Sequence, residues 1–166
     1  MSQTDRRRIR VSELMPPEKA NFSGNIHGGH IMEICDRVAY ACAARYASSY
    51  VVTLSVDQIL FKQPIHVGEL VNFEATINYV GKTSMEVGIK VTAENLMTGE
   101  SRHTNSCYFT MVAVDEALKP KKVPELECHT ALEKQRYQAA IARKEIRLKF
   151  KEEHETCKKS LRDQFK

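Results

Sequence analysis

Hydrophobic and polar positions alternate with a period of two over most of the middle of this chain. Leu70 to Val80 sets Val71, Phe73, Ala75, Ile77 and Tyr79 on one face, and Thr83 to Ala93 does the same with Met85, Val87, Ile89, Val91 and Ala93. That alternation predicts two half-buried β-strands, and Gly81-Lys82 between them predicts a tight hairpin. Arg7 to Leu14 alternates as well and predicts a first strand, ended by Met15-Pro16-Pro17 because proline cannot donate to a ladder. Tyr50 to Phe61 holds a β-rich run, Val51 to Val56, and closes at Gln63-Pro64. Arg102 to Val114 is apolar around Cys107 to Val112 on both faces, as expected of a central, covered strand.

The stretch from Gly28 to Ala47 has no such alternation. Its many small residues (Ala39, Ala41, Cys42, Ala43, Ala44, Ala47) predict a helix closely surrounded by other elements. The order is strand, long helix, four strands, which predicts an α+β fold with a curved antiparallel sheet wrapped around one central helix. A doubly wound parallel fold is disfavoured, because no helices separate the later strands. Lys119-Pro120-Lys121-Lys122-Val123-Pro124 closes this domain, read as residues 1–126. Residues 127–166 are charged, free of glycine and proline, and sparsely apolar at Leu132, Tyr137, Ile141 and Leu148. They predict a C-terminal helical extension of one or two amphipathic helices.

Composition sharpens this division. Residues 127–166 hold 11 Lys and Arg against 7 Asp and Glu, so the whole net charge of +4 belongs to the extension. The extension is open between a brace against the domain or a second subunit and an arm for RNA or a membrane surface. Acids interleaved with the bases, and no aromatic ladder, favour the brace and no nucleic-acid partner. No apolar run approaches the roughly 20 residues of a membrane span. No apolar segment follows Arg6-Arg7-Arg8, so no secretory signal is expected. Five cysteines, an odd number without a C-x-x-C pair, predict a reducing cytoplasm and no disulfide framework.

Candidate chemistry gathers at Gly24-Asn25-Ile26-His27-Gly28-Gly29, followed by Met32 and Asp36. A helix starting at Gly28 presents unpaired N–H donors and a positive dipole end, which suits a developing negative charge. Asp36 lies among Ile34, Cys35, Val38 and Ala39, so a buried carboxylate is expected, one that needs a partner or a job. The helix pattern alone leaves Asp36 open between a structural and a catalytic carboxylate, and Asn25 open between shaping the turn and a functional amide. His27 and His30 lack further clustered ligands, so no metal is expected.

These residues closely resemble the signature of hotdog-fold acyl-CoA thioesterases of the bacterial YciA type, related to the brain cytosolic acyl-CoA hydrolase. The likeness continues at Val52-Thr53-Leu54-Ser55-Val56-Asp57, Phe61-Lys62-Gln63-Pro64-Ile65, Val80-Gly81-Lys82-Thr83-Ser84-Met85-Glu86 and Phe109-Thr110-Met111-Val112-Ala113-Val114-Asp115. It covers about residues 8–124 in the family's order. The resemblance implies hydrolysis of fatty acyl-CoA without a cofactor, CoA being part of the substrate and product. It implies Asp36 as the catalytic carboxylate and Asn25 as its partner amide, in a homodimer joined sheet edge to sheet edge, with dimers assembling into a hexamer. It also favours contact between CoA and Gly81, Lys82, Thr83 and Ser84, which otherwise read as an ordinary hairpin turn; Arg102 and His103 are separate candidates for charge near the nucleotide.

Thioester hydrolysis asks for a base or a carboxylate nucleophile and an oxyanion site. Asp36 serves as either, and Gly28 and Gly29 N–H are the oxyanion candidates. Gly29 and Asp36 are seven residues apart, which is roughly 10 Å along a helix, too far to act on one carbonyl. A dimer that brings one helix start towards the other subunit's Asp36 removes that difficulty. A non-catalytic acyl-CoA-binding or regulatory protein on the same fold is the alternative.

Overall fold

The computed structural model describes residues 6–164. The chain divides into two units at residues 126 and 127. The first holds five strands and one long helix: β1 (Arg8–Leu14), α1 (Gly28–Ala47), β2 (Tyr50–Val56), β3 (Leu70–Val80), β4 (Ser84–Glu94) and β5 (Ser101–Val114). All pairings are antiparallel, and the order across the sheet is β1-β3-β4-β5-β2. The two edges are therefore β1 and β2.

Each predicted strand is present; β1 alternates along its length, and β3 and β4 keep their apolar residues on one face. Val71, Phe73, Ala75 and Ile77 of β3, Met85, Val87, Ile89 and Val91 of β4, and Cys107, Phe109 and Met111 of β5 form one apolar face, at most 2% exposed. α1 lies on that face and touches all five strands. Its Ile31, Ile34, Cys35, Val38, Ala39, Cys42 and Ala43 are buried there, and the small side chains let the helix backbone come close to the sheet. This is the α+β hotdog arrangement that the resemblance implies.

Two local readings change. β5 is an interior strand, but its faces are unequal: Cys107, Phe109 and Met111 are buried, while Tyr108, Thr110 and Val112 are only half-buried. The β3–β4 hairpin turns at Lys82-Thr83 rather than Gly81-Lys82, because Gly81 N–H donates across it to Ser84 O at 2.8 Å. No residue of that turn has positive φ, so glycine is not required by its backbone.

The second unit, described from 127 to 164, contains one helix, α2 (Ala131–Gln164). Its 34 residues extend on the order of 50 Å, as one helix rather than two. It begins with reciprocal caps: Glu133 N–H donates to Thr130 Oγ1 at 3.2 Å, while Glu133 Oε2 accepts from Thr130 N–H at 3.1 Å and His129 N–H at 2.9 Å. Residues 1–5, 165 and 166 of the two predicted domains lie outside the described residues.

Candidate active site

The approach to α1 is built by a tight loop. Gly24, at φ 77°, turns the chain in a conformation that favours glycine, and Gly24 N–H donates to Asn21 O at 3.0 Å. Asn21 Oδ1 accepts from the N–H groups of Ser23 (2.9 Å) and Asn25 (3.2 Å), so this side chain braces the turn. Ile26 N–H then donates to Ile65 O at 2.7 Å, tying the loop to the segment before β3.

At the helix start two backbone donors stay unpaired among the described residues. His27 occupies the N-cap in an extended conformation and offers no side-chain cap. His30 and Ile31 N–H both turn back to His27 O, at 3.0 and 3.3 Å. Gly28 and Gly29 N–H are left without a hydrogen-bond partner among the described residues. No acid lies in the first turn, so nothing there competes with an incoming negative charge. The ring of Phe61 lies over this start: a Cβ placed on Gly28 would stand 3.3 Å from Phe61 Cζ.

Asp36 is not buried in the chain, contrary to the sequence expectation. Ile34, Cys35 and Val38 point into the sheet, but Asp36 shares an i, i+4, i+8 stripe with Met32 and Tyr40, which are 43% and 40% exposed. That stripe looks past edge strand β2. There Thr53 Oγ1 donates to Asp36 Oδ1 at 2.8 Å, and Tyr40 meets Tyr50 edge to face with ring centres 5.9 Å apart. Sequence reasoning did not single out Thr53 or Asn21, although both stand inside blocks that it quoted or adjoined.

The Gly81–Ser84 hairpin is not brought to the helix start. Ser84 pairs with Val112 near the end of β5, whereas Leu14 and Leu70, beside the helix start, pair at the other end of the sheet. Over ten residues of β4 those ends are roughly 33 Å apart. The carbonyls of Lys82 and Thr83 accept from Val123 N–H (3.1 Å) and Ala113 N–H (2.9 Å), leaving the Lys82 side chain exposed. Arg102 does not present a spare charge, because both of its terminal nitrogens bind Glu69, at 2.6 and 2.7 Å. His103 Nε2 lies 2.9 Å from Ser106 Oγ. Among the described residues, no three His, Cys, Asp or Glu side chains cluster to hold a metal, and no helix is long and apolar enough to cross a membrane.

Residues 23–100 match the family model described as the thioesterase superfamily. The chain is 52% identical over 143 residues to protein VdlD of Helicobacter pylori, spanning 86% of this chain and 82% of that one. A solved structure of a hexameric acyl-CoA thioesterase shares 42% identity at a TM-score of 0.84, over 87% of this chain and 93% of the other. The acyl-CoA hydrolase of Staphylococcus aureus, solved with butyryl coenzyme A and coenzyme A, shares 28% identity at a TM-score of 0.87, over 97% and 98% of the two chains. In that hydrolase an asparagine, an aspartate and a threonine have each been replaced by alanine, and they stand 15 and 17 residues apart. Asn21, Asp36 and Thr53 stand 15 and 17 apart here. By sequence and by fold, the chain belongs to the thioesterase superfamily, among its hotdog-fold acyl-CoA thioesterases.

Proposed function

We propose that this protein hydrolyses fatty acyl-CoA to free fatty acid and CoA, with residues 1–126 as the hydrolase domain and 127–166 as its extension. The observation that carries the reading is Asp36, held by Thr53 Oγ1 at 2.8 Å on an exposed, otherwise apolar stripe. A carboxylate aimed out of the core and oriented by a hydroxyl is suited to chemistry and contributes little to packing.

The step follows. Asp36 takes a proton from water as the water attacks the thioester carbonyl, or attacks the carbonyl itself to form a mixed anhydride that water then opens. Gly28 and Gly29 N–H receive the oxyanion of the tetrahedral intermediate. Collapse breaks the C–S bond and expels the CoA thiolate, which takes up a proton. No cofactor enters this scheme.

One chain does not bring these groups together, and a second copy would. β2 is a sheet edge with unpaired backbone groups, and its Tyr50, Val52, Leu54 and Val56 are apolar and 36–67% exposed. Pairing β2 with β2 of another copy in a homodimer would run the two helices in opposite senses and bury Asp36 beside the partner's helix start. The hairpin Gly81, Lys82, Thr83 and Ser84 would then contact CoA from elsewhere in the assembly, with the exposed Lys82 ammonium available to phosphate. Assembly into a hexamer, as in the hexameric relative, and a cytoplasmic setting complete the reading.

Two amides compete for the partner role. Asn25 makes no side-chain hydrogen bond among the described residues and is free to hold water or the thioester oxygen. Asn21 matches the spacing of the asparagine replaced in the Staphylococcus aureus hydrolase. Its Oδ1 is occupied by the turn, which leaves its NH₂ group to donate.

CoA release by wild type, Asp36→Asn, Asn21→Ala and Asn25→Ala tests this. Loss of turnover in Asp36→Asn with CoA binding retained is expected, and whichever asparagine lowers kcat is the partner amide. Turnover equal in wild type and Asp36→Asn removes Asp36 from the mechanism. Tight acyl-CoA binding without turnover in any form establishes the regulatory alternative. A thiol reagent also titrates the protein, so an enzyme-only blank is needed. Cys157 is exposed and Cys128 half-buried, whereas burial pushes the Cys42 thiol up to about 12 and keeps it silent.

A further inference from the structure

The segment 57–66, between β2 and β3, forms no strand or helix of its own, yet it is held at every few residues. Asp57 N–H donates to Tyr108 O and Lys62 N–H to Thr104 O, each at 3.0 Å, which lays it along β5. Its end is gripped more firmly. Arg102 Nη2 donates to Pro64 O at 2.7 Å, and the same guanidinium makes a two-pronged pair with Glu69. Glu69 Oε2 accepts in addition from His66 N–H at 2.8 Å. The Glu69 side chain is 6% exposed and that of Arg102 20%, so this pair sits largely out of water. Between Asp57 and Lys62, three residues before Pro64, lies Phe61, whose ring covers Gly28 while 47% of the residue stays exposed.

An apolar ring beside two unpartnered N–H groups has a consequence for what binds there. A carbonyl oxygen that reaches Gly28 and Gly29 N–H brings its two substituents with it, and one of them must pass the ring. The sulfur substituent leads to the amide-rich arm of CoA, whereas the acyl substituent is hydrocarbon and gains from an aromatic wall. Building on the hydrolase reading, we infer that Phe61 is a specificity-determining residue that packs against the first carbons of the acyl chain, and that Arg102 and Glu69 are the positioning residues that hold it there. Neither member of the pair touches substrate. They act through Pro64 O and His66 N–H on the segment that carries the ring, and through Ile65 O on the residue two before the helix start.

The test is kcat/KM for acyl-CoAs from acetyl to palmitoyl in wild type, Phe61→Ala, Glu69→Gln and the double variant. Phe61→Ala should change the ratio between short and long substrates by roughly tenfold, the scale of a lost apolar contact. Glu69→Gln should move the ratio in the same direction by a smaller factor, and should add nothing once Phe61 is alanine. Arg102→Lys retains the charge without the two-pronged geometry and should reproduce Glu69→Gln, which keeps the test open if that variant folds poorly. An unchanged chain-length profile in Phe61→Ala overturns the inference, and so does a Glu69→Gln effect that persists undiminished in the double variant. Those results leave hydrolysis standing. A wild type that releases CoA from no acyl-CoA overturns the hydrolase reading together with the inference.

Discussion

At the scale of single residues, the charged groups divide into those that hold the fold and those left free to react. Glu69 belongs to the first kind. Burial pushes its carboxyl up, but the Arg102 hydrogen bonds, His66 N–H and the Arg102 charge outweigh this and hold it below the usual carboxylate range. A carboxylate whose pKa is lowered by folding stabilises the protein above the unfolded value near ~4.3, and that contribution is lost as pH falls through the lower folded value. Urea melts of wild type and Glu69→Gln should therefore differ by about 3 kcal/mol at neutral pH. The gap should close as the pH falls below about 4. A gap that does not change with pH would show that packing, not charge, accounts for Glu69. Asp36 is of the second kind. Its position in an apolar stretch suggested burial, but residues adjacent in a helix face different ways, and Asp36 faces away from the sheet that buries Cys35.

At the scale of elements, both helix starts are informative, and for opposite reasons. α2 satisfies its first turn with Thr130 and Glu133, a spacing that was present in the sequence as Thr-x-x-Glu. Thr130→Ala should cost about 1 kcal/mol of local helix stability. Hydrogen exchange should then quicken in the first turn of α2 while the strands keep their protection. Equal exchange in both forms would mean that the cap is dispensable. α1 leaves its first two amides uncapped. An uncapped start at the front of a buried helix is a cost in stability, and here it leaves two donors ready for a ligand. Strands β1, β3 and β4 were legible because their apolar residues recur at every second position on the side that meets the helix. The turn at Lys82-Thr83 was displaced by one residue because hydrogen bonding, not composition, decides where a hairpin reverses.

At the scale of the whole molecule, the exposed edge strand is the feature that invites a second copy. Leu54 is 67% exposed, so its replacement by lysine should change the stability of one chain by no more than about 0.5 kcal/mol. If β2 pairs with β2, Leu54→Lys should sediment as a smaller species with an unchanged circular dichroism spectrum and little turnover. An assembly of unaltered size would place the contact elsewhere. The same arrangement would bring together groups that lie apart along one chain: helix start, middle of the helix and far hairpin occupy three different stations.

Hydrophobic pattern and composition together determined the number of strands and their order along the chain, α1 from its glycine pair and small residues, and the charged helical extension. The glycine pair and Asp36 were visible as residues because their types are unusual in their surroundings. Tertiary structure alone decided that Asp36 is exposed and held by Thr53, 17 residues away, that Asn21 braces the turn beside Asn25, and that Phe61 lies over Gly28. The Asp36–Thr53 and Phe61–Gly28 contacts join residues distant along the chain, and a distance in space is set by how the sheet curls around its helix, which no local pattern encodes.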